Sequence, residues 1–103
     1  MKVLNCKRPI ADHVTKVLPI SDLVNRFEVE CLQHEQDVYD SLSEMGMYYP
    51  IVVFAGSNEV LCGNTRTRAA RRLGYTHIDA VCVPPLEAYN LCYRMRNYES
   101  LNV

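Results

Sequence analysis

Four consecutive residues, Gly63, Asn64, Thr65 and Arg66, have the types and spacing to hold an anion. They lie between an apolar run, Val60-Leu61-Cys62, and a helix-forming stretch that closes on Gly74. That order reads as a strand, a glycine turn and a helix over Thr65 to Leu73, about two and a half turns long. Gly63 supplies the turn, Asn64 or Thr65 the N-cap, and Gly74 the C′ position. At about 100° per residue, Arg66, Ala69, Ala70 and Leu73 share one face, and Arg68, Arg71 and Arg72 lie on the other side. An arginine at the head of a small apolar stripe needs a partner if it is buried. In the first helical turn it stands beside free backbone N–H groups and the positive end of the helix dipole. Those donors and a fork-shaped cation suit a phosphate, sulfate or carboxylate. A carboxylate of the protein itself would satisfy the same arginine.

The remaining segments must position this one. Glu28 to Met45 is the longest helix candidate, with Val29, Leu32, Val38, Tyr39, Leu42 and Met45 at mostly helical spacings and Gly46 as its stop. Ile51 to Phe54 is a β-branched run. The turn Ala55-Gly-Ser-Asn58 returns it to a hairpin partner, Glu59 to Cys62. Val14 to Ile20 reads as an edge strand ending at Pro19, with a short helical turn beginning at Ser21-Asp22. Thr76 to Val83 alternates Ile78, Ala80 and Cys82 against His77, Asp79, Val81 and Val83. Pro84 breaks that strand, and Pro85 opens a last helix on which Leu86, Tyr89 and Tyr93 share a face. Residues 1–12 form either a flexible arm or an added edge strand.

A chain of 103 residues builds one domain with one core, here expected over 1–103. With 49% hydrophobic and 22% charged residues, it falls in the class of soluble globular proteins. The net charge of −1 announces neither a nucleic acid nor a membrane. The charges are nevertheless segregated. Asp22, Glu28, Glu30, Glu35, Asp37, Asp40 and Glu44 face only Arg26 in one stretch, while Arg66, Arg68, Arg71 and Arg72 meet no acid in another. Read alone, these are two solvated faces. Cys6, Cys31, Cys62, Cys82 and Cys92 have no C-x-x-C spacing, so neither a zinc site nor a redox pair is expected. Cys31, Cys82 and Cys92 suit small core positions. His13, His34 and His77 are scattered and take structural roles. With no apolar leader and no membrane-length run, the expected compartment is the cytoplasm and no membrane partner is expected.

Gly63-Asn-Thr-Arg-Thr-Arg-Ala69, followed by Arg-Arg-Leu-Gly74, resembles the glycine–arginine box of the ParB/sulfiredoxin superfamily, Gly-Glu-Arg-Arg-x-Arg-Ala in ParB proteins. Glu28 to Gly46 with Tyr49-Pro50-Ile-Val-Val53 is similar to the family's preceding helix and strand, and His77 to Val83 to its next strand. The likeness spans about residues 14–100. It implies an α/β (α+β) fold with a small mixed curved sheet packed by helices. It further implies a nucleotide, CTP or ATP, bound with Mg²⁺ and without a structural metal. Gly63, Asn64, Thr65 and Arg66 would surround its phosphates, with Arg68 nearby and Asn97 contributed by the last helix.

The departures matter as much. Asn64 stands where ParB proteins carry the box glutamate, and Thr65 replaces the first box arginine. An amide cannot act as a base or neutralise Mg²⁺ as a carboxylate does, so binding with poor hydrolysis is expected. Of the family's Asn-x-x-x-Gln-x-Arg box only Asn25-Arg26 remains. In Arg96-Asn97-Tyr98-Glu99, which matches the Glu-Asn-x-Gln-Arg box, arginine replaces the glutamate. The sulfiredoxin box Gly-Gly-Cys-His-Arg would place its catalytic cysteine at Asn64. Cys62 lies two residues earlier, so its thiol is expected to point elsewhere and sulfiredoxin activity is not expected. If the chain is an enzyme, it is a nucleotide hydrolase or nuclease of ParB-like type, with Glu44, Asp79 and Glu99 as the acids at hand. A DNA contact would run through Arg68, Arg71 and Arg72, although the ParB helix-turn-helix does not follow. The alternative is a non-catalytic interaction module of phage or plasmid type that binds a host protein through Tyr48, Tyr49, Tyr89, Tyr93 and Tyr98.

Overall fold

A computed structural model describes residues 1–25 and 32–95 of the chain. Five strands run as β1 (Val3–Leu4), β2 (Lys16–Pro19), β3 (Ile51–Phe54), β4 (Val60–Cys62) and β5 (His77–Val83). Three helices, α1 (Leu32–Met45), α2 (Asn64–Arg72) and α3 (Pro85–Met95), pack against them, and a short 3-10 turn occupies Ile20–Asp22. The sheet is mixed and curved into a half-barrel. Its centre is β5, which pairs parallel with β3 (Ile51↔Ala80 to Phe54↔Val83) and antiparallel with β2 (Lys16↔Ala80 to Pro19↔His77). On the β3 side, β1 continues the ladder by pairing parallel with His77 and Ile78. Residues 1–12 therefore include an edge strand. The segment is stitched further by Lys7 and Arg8, whose amides donate to the carbonyls of Met47 and Tyr48 at 2.9 and 2.7 Å.

Burial explains why β3 is apolar throughout. On one face Ile51, Val53, Ile78 and Ala80 pack with Ala69 and Ala70 of α2 and with Val38 and Leu42 of α1. On the other, Val52, Phe54, Val81 and Val83 pack with Ala88 and Leu91 of α3. A strand covered on both sides reads as a continuous apolar run, and alternation in β5 separates two cores, not a core from solvent. Cys62, Cys82 and Cys92 fill partly buried positions against these cores. The β3–β4 hairpin turns through Gly56 and Asn58, both at positive φ, and its register slips at Val52/Val53. The predicted helix from Glu28 is seen from Leu32; its first residues, with Arg26 and Cys31, lie outside the described residues.

The acidic and basic stretches are not two solvated faces. They meet where α1 crosses α2. Glu35 Oε1 accepts a hydrogen bond from Arg68 Nε at 2.6 Å, and Oε2 accepts one from Arg72 Nη1 at 3.1 Å. The Arg72 guanidinium also lies over the Tyr39 ring, 4.4 Å from its centroid, and donates to Gln36. Arg71 turns the other way and donates to the Ile20 carbonyl at 3.1 Å. The basic face of α2 is thus largely engaged within the domain.

Two expectations follow. The hydrogen bond from Arg68, aided by the charges of Arg68 and Arg72 and opposed by burial, lowers the Glu35 pKa below its ordinary value. A lowered folded-state pKa gives stability that is present above the unfolded-state value and lost as pH falls through the folded one. Glu35→Gln should therefore lower stability at neutral pH by about 1 kcal/mol, the upper range for a partly exposed pair. The gap from wild type should close in acid; thermal melts between neutral and acidic pH measure it, and a constant gap would contradict the assignment. Gly63→Ala should be costlier, because Gly63 sits at φ +113° and an added Cβ would run into Ile51 Cγ2. Strain and overpacking together predict a loss of about 2–4 kcal/mol, read as a fall in melting temperature.

Candidate functional site

The geometry of the box begins at Gly63, which serves as the N-cap of α2 in the left-handed region. Among the described residues no side chain caps this helix. The expected cap from Asn64 or Thr65 is replaced by a different arrangement. Asn64 is the first helical residue, and its amide is spent elsewhere. Its Nδ2 donates to the Val60 carbonyl at 3.0 Å, and its Oδ1 accepts from Asn25 Nδ2 at 2.7 Å. Thr65 is half-buried beside it. Thr67, which sequence reasoning missed, is fully buried, and its hydroxyl donates to the Gly63 carbonyl at 2.8 Å. Its place on the buried side of the helix, next to Arg66, is the signal that could have found it. The first-turn N–H groups, which an α-helix leaves without intrahelical partners, are therefore not consumed by a side-chain cap.

Arg66 is 5% exposed. Its Nη1 donates to the Tyr49 carbonyl at 2.7 Å, and its Nη2 lies 3.9 Å from Cys62 Sγ. Neither partner is a carboxylate, and among the described residues no ion pair includes Arg66. The missing side chain of Gly63 leaves room for this guanidinium: a Cβ there would stand 3.1 Å from Nη2. The glycine and the arginine of the box are thus one steric unit. Cys62 does not point away from the box arginine, contrary to the expectation from its two-residue offset. The left-handed turn at Gly63 folds the end of β4 back toward the first turn of α2, which brings residues 62 and 66 together.

Asn25 is the other residue brought to the box. The segment before it is stitched to β4, with Val24 N donating to Asn58 O and Val60 N to Val24 O at 2.9 and 2.8 Å. Arg71 Nη1 approaches Asn25 Oδ1 at 3.4 Å. Arg68 faces α1 through Glu35, as above, and Asn97 lies outside the described residues.

Asp79 is not a surface acid: it is 7% exposed and accepts from Asn5 Nδ2 and Cys6 N at 3.2 and 2.8 Å. That carboxylate pins the loop after β1. Burial first, and then the Asp79 charge and hydrogen bond, push the Cys6 thiol up to about 11, so it is protonated at neutral pH. Glu44 is exposed near the end of α1, and Glu99 lies outside the described residues. Among the described residues no three His, Cys, Asp or Glu side chains are grouped to hold a metal ion, and no helix is long and apolar enough to cross a membrane.

No family model matches the sequence, and no curated protein matches it significantly. The fold has clear counterparts among solved structures. Sulfiredoxin from Arabidopsis thaliana superposes with a TM-score of 0.60 at 20% identity, over 69% of this chain and 85% of that one. A Pnob8-like ParB-N domain gives 0.57 at 20% identity, over 68% of this chain and 29% of that one. The C-terminally truncated chromosome-partitioning protein ParB from Caulobacter crescentus, complexed with CTP-gamma-S, gives 0.64 at 22% identity over 84% of this chain. This chain spans 53% of that ParB. A half-barrel sheet, three helices and these superpositions together show a ParB/sulfiredoxin-like fold.

Proposed function

We propose that the domain binds a phosphorylated ligand, with a nucleotide as the favoured class, at the N-terminus of α2. The observation that carries this reading is the buried Arg66 guanidinium, whose partners among the described residues are all uncharged. A buried cation without a counter-ion is costly, and an incoming phosphate would supply the missing charge. Arg66 carries five N–H donors in a rigid fork, and the carbonyl of Tyr49 holds that fork in place. The backbone N–H groups of Asn64, Thr65 and Arg66 would add the helix N-terminal contribution. The ParB structure with CTP-gamma-S shows this fold carrying a nucleotide analogue in a distant structural counterpart, which supports CTP or another nucleoside triphosphate as the first ligand to test. Mg²⁺ would arrive with the phosphates.

Gly63, Asn64, Thr65 and Arg66 form the proposed contact set. Arg68 acts at a remove, by holding α1 through Glu35. Binding without efficient hydrolysis fits an Asn64 amide already engaged with Asn25 and Val60, in the place where a carboxylate would be needed. Calorimetric titration with CTP, ATP and GTP, with and without Mg²⁺, tests the proposal. Wild type should bind at least one of them. Arg66→Ala should lose about tenfold or more in affinity, as expected for a hydrogen bond to a charged group, while circular dichroism shows it folded. Absence of heat from folded wild type, or equal affinity in Arg66→Ala, would refute the proposal.

A further inference from the structure

Helix α3 turns Ala88 and Leu91 into the second core and leaves a second apolar stripe outside. Leu86 and Tyr93 are each 75% exposed, and Tyr89 is 52% exposed. Large apolar side chains that recur along one helix face in solvent mark an interaction surface more often than scattered exposure does. The stripe has a particular charge frame. Leu86 and Tyr93 are seven residues apart and so lie on one side, two turns from each other. Glu87 and Arg94 are likewise seven apart and flank that stripe along one edge, while Tyr89 flanks the other. The acid is at the N-terminal end of the helix and the base is in its last turn. Glu87 Oε1 takes a contact from His13 Nε2 at 3.2 Å, which ties the loop bearing the exposed Val14 to the start of α3.

This pattern is complementary to itself. We propose that the outward face of α3 pairs with the same face of a second copy of this chain, the two helices running antiparallel about a two-fold axis near Asn90. In that arrangement Leu86 of each copy stands against Tyr93 of the other. The two Tyr89 edges meet, and each Glu87 meets Arg94 of the second copy. A two-fold contact of this kind uses one patch on both partners. A parallel two-fold pair would instead set the Glu87/Arg94 edge of each copy against the Tyr89 edge of the other, so only the antiparallel polarity joins acid to base across the axis. A contact limited to one helix face lies at the small end of specific interfaces, so the dimer is a weak, concentration-dependent one.

Sedimentation equilibrium from about 10 to about 500 µM, the range suited to a small interface, tests this with charge reversal. Wild type should show a reversible monomer–dimer equilibrium. Glu87→Arg and Arg94→Glu should each weaken it about tenfold or more, since each converts two attractions into repulsions. Arg94→Glu leaves the His13 contact with Glu87 in place, so its effect is not an indirect result of losing that contact. The double variant Glu87→Arg/Arg94→Glu should return the dissociation constant to within about threefold of wild type. A wild type that stays monomeric through that range would overturn the proposal. So would a dimer indifferent to the single variants, or a double variant no better than the singles. Thermal melts establish that each variant is folded, as expected for exposed positions.

Discussion

The hydrogen bond from Arg66 to the Tyr49 carbonyl is the interaction around which this domain closes. It joins the first turn of α2 to the residue just ahead of β3, and the same guanidinium reaches Cys62 at the end of β4. The end of β4, the first turn of α2 and Tyr49, seventeen positions before Arg66, are thereby fixed to one planar group. That group fits only because Gly63 has no side chain: its Cβ would collide with Ile51 and crowd Nη2. The conformational requirement and the steric one coincide, since φ of +113° also favours glycine. Thr67 completes the arrangement by holding the Gly63 carbonyl from below.

Four arginines on one short helix are sorted by helical phase into different physical roles. Arg66 points into the protein and meets neutral partners. Arg68 and Arg72 share the Glu35 carboxylate and fasten α1 across α2. Arg71 holds the carbonyl of Ile20. The acidic character of α1 and the basic character of α2 thus work chiefly as mutual complementarity inside one domain. The buried Arg66, among the described residues, has no carboxylate at ion-pair distance. Desolvation makes such a charge expensive, and the same low-dielectric surroundings would strengthen its attraction for an anion. Stability and proposed binding therefore draw on the same residue in opposite senses.

Much of the fold was legible because local rules and tertiary packing agreed. Gly46 and Gly74 both take the positive φ expected of helix stops. Pro85 does open α3, and the β-branched run Ile51–Phe54 is a strand. The face shared by Arg66, Ala69 and Ala70 is the buried one. What was not legible depended on distance in the chain. Asn64 reads locally as an N-cap, but Asn25, 39 positions earlier, captures its amide. Asp79 reads as a solvated acid on an alternating strand. It is buried under the N-terminal segment, where Asn5 and the Cys6 amide supply donors. Cys62 was misplaced by counting residues along the chain without the reversal that Gly63 imposes. No local pattern encodes that two oppositely charged helices will cross at Glu35.

The proposed phosphate site is the mouth of α2, with Arg66 at its head. The most direct measurement is a ¹H–¹⁵N NMR titration with CTP and with inorganic pyrophosphate that follows backbone amides and arginine Nε–H groups together. Phosphate binding there predicts saturable shifts at the amides of Asn64, Thr65 and Arg66 and at the Arg66 side chain, with Arg68 and Arg72 remaining tied to Glu35. Shifts confined to Arg68, Arg71 and Arg72, or none at the start of α2, would contradict it and assign Arg66 to architecture alone.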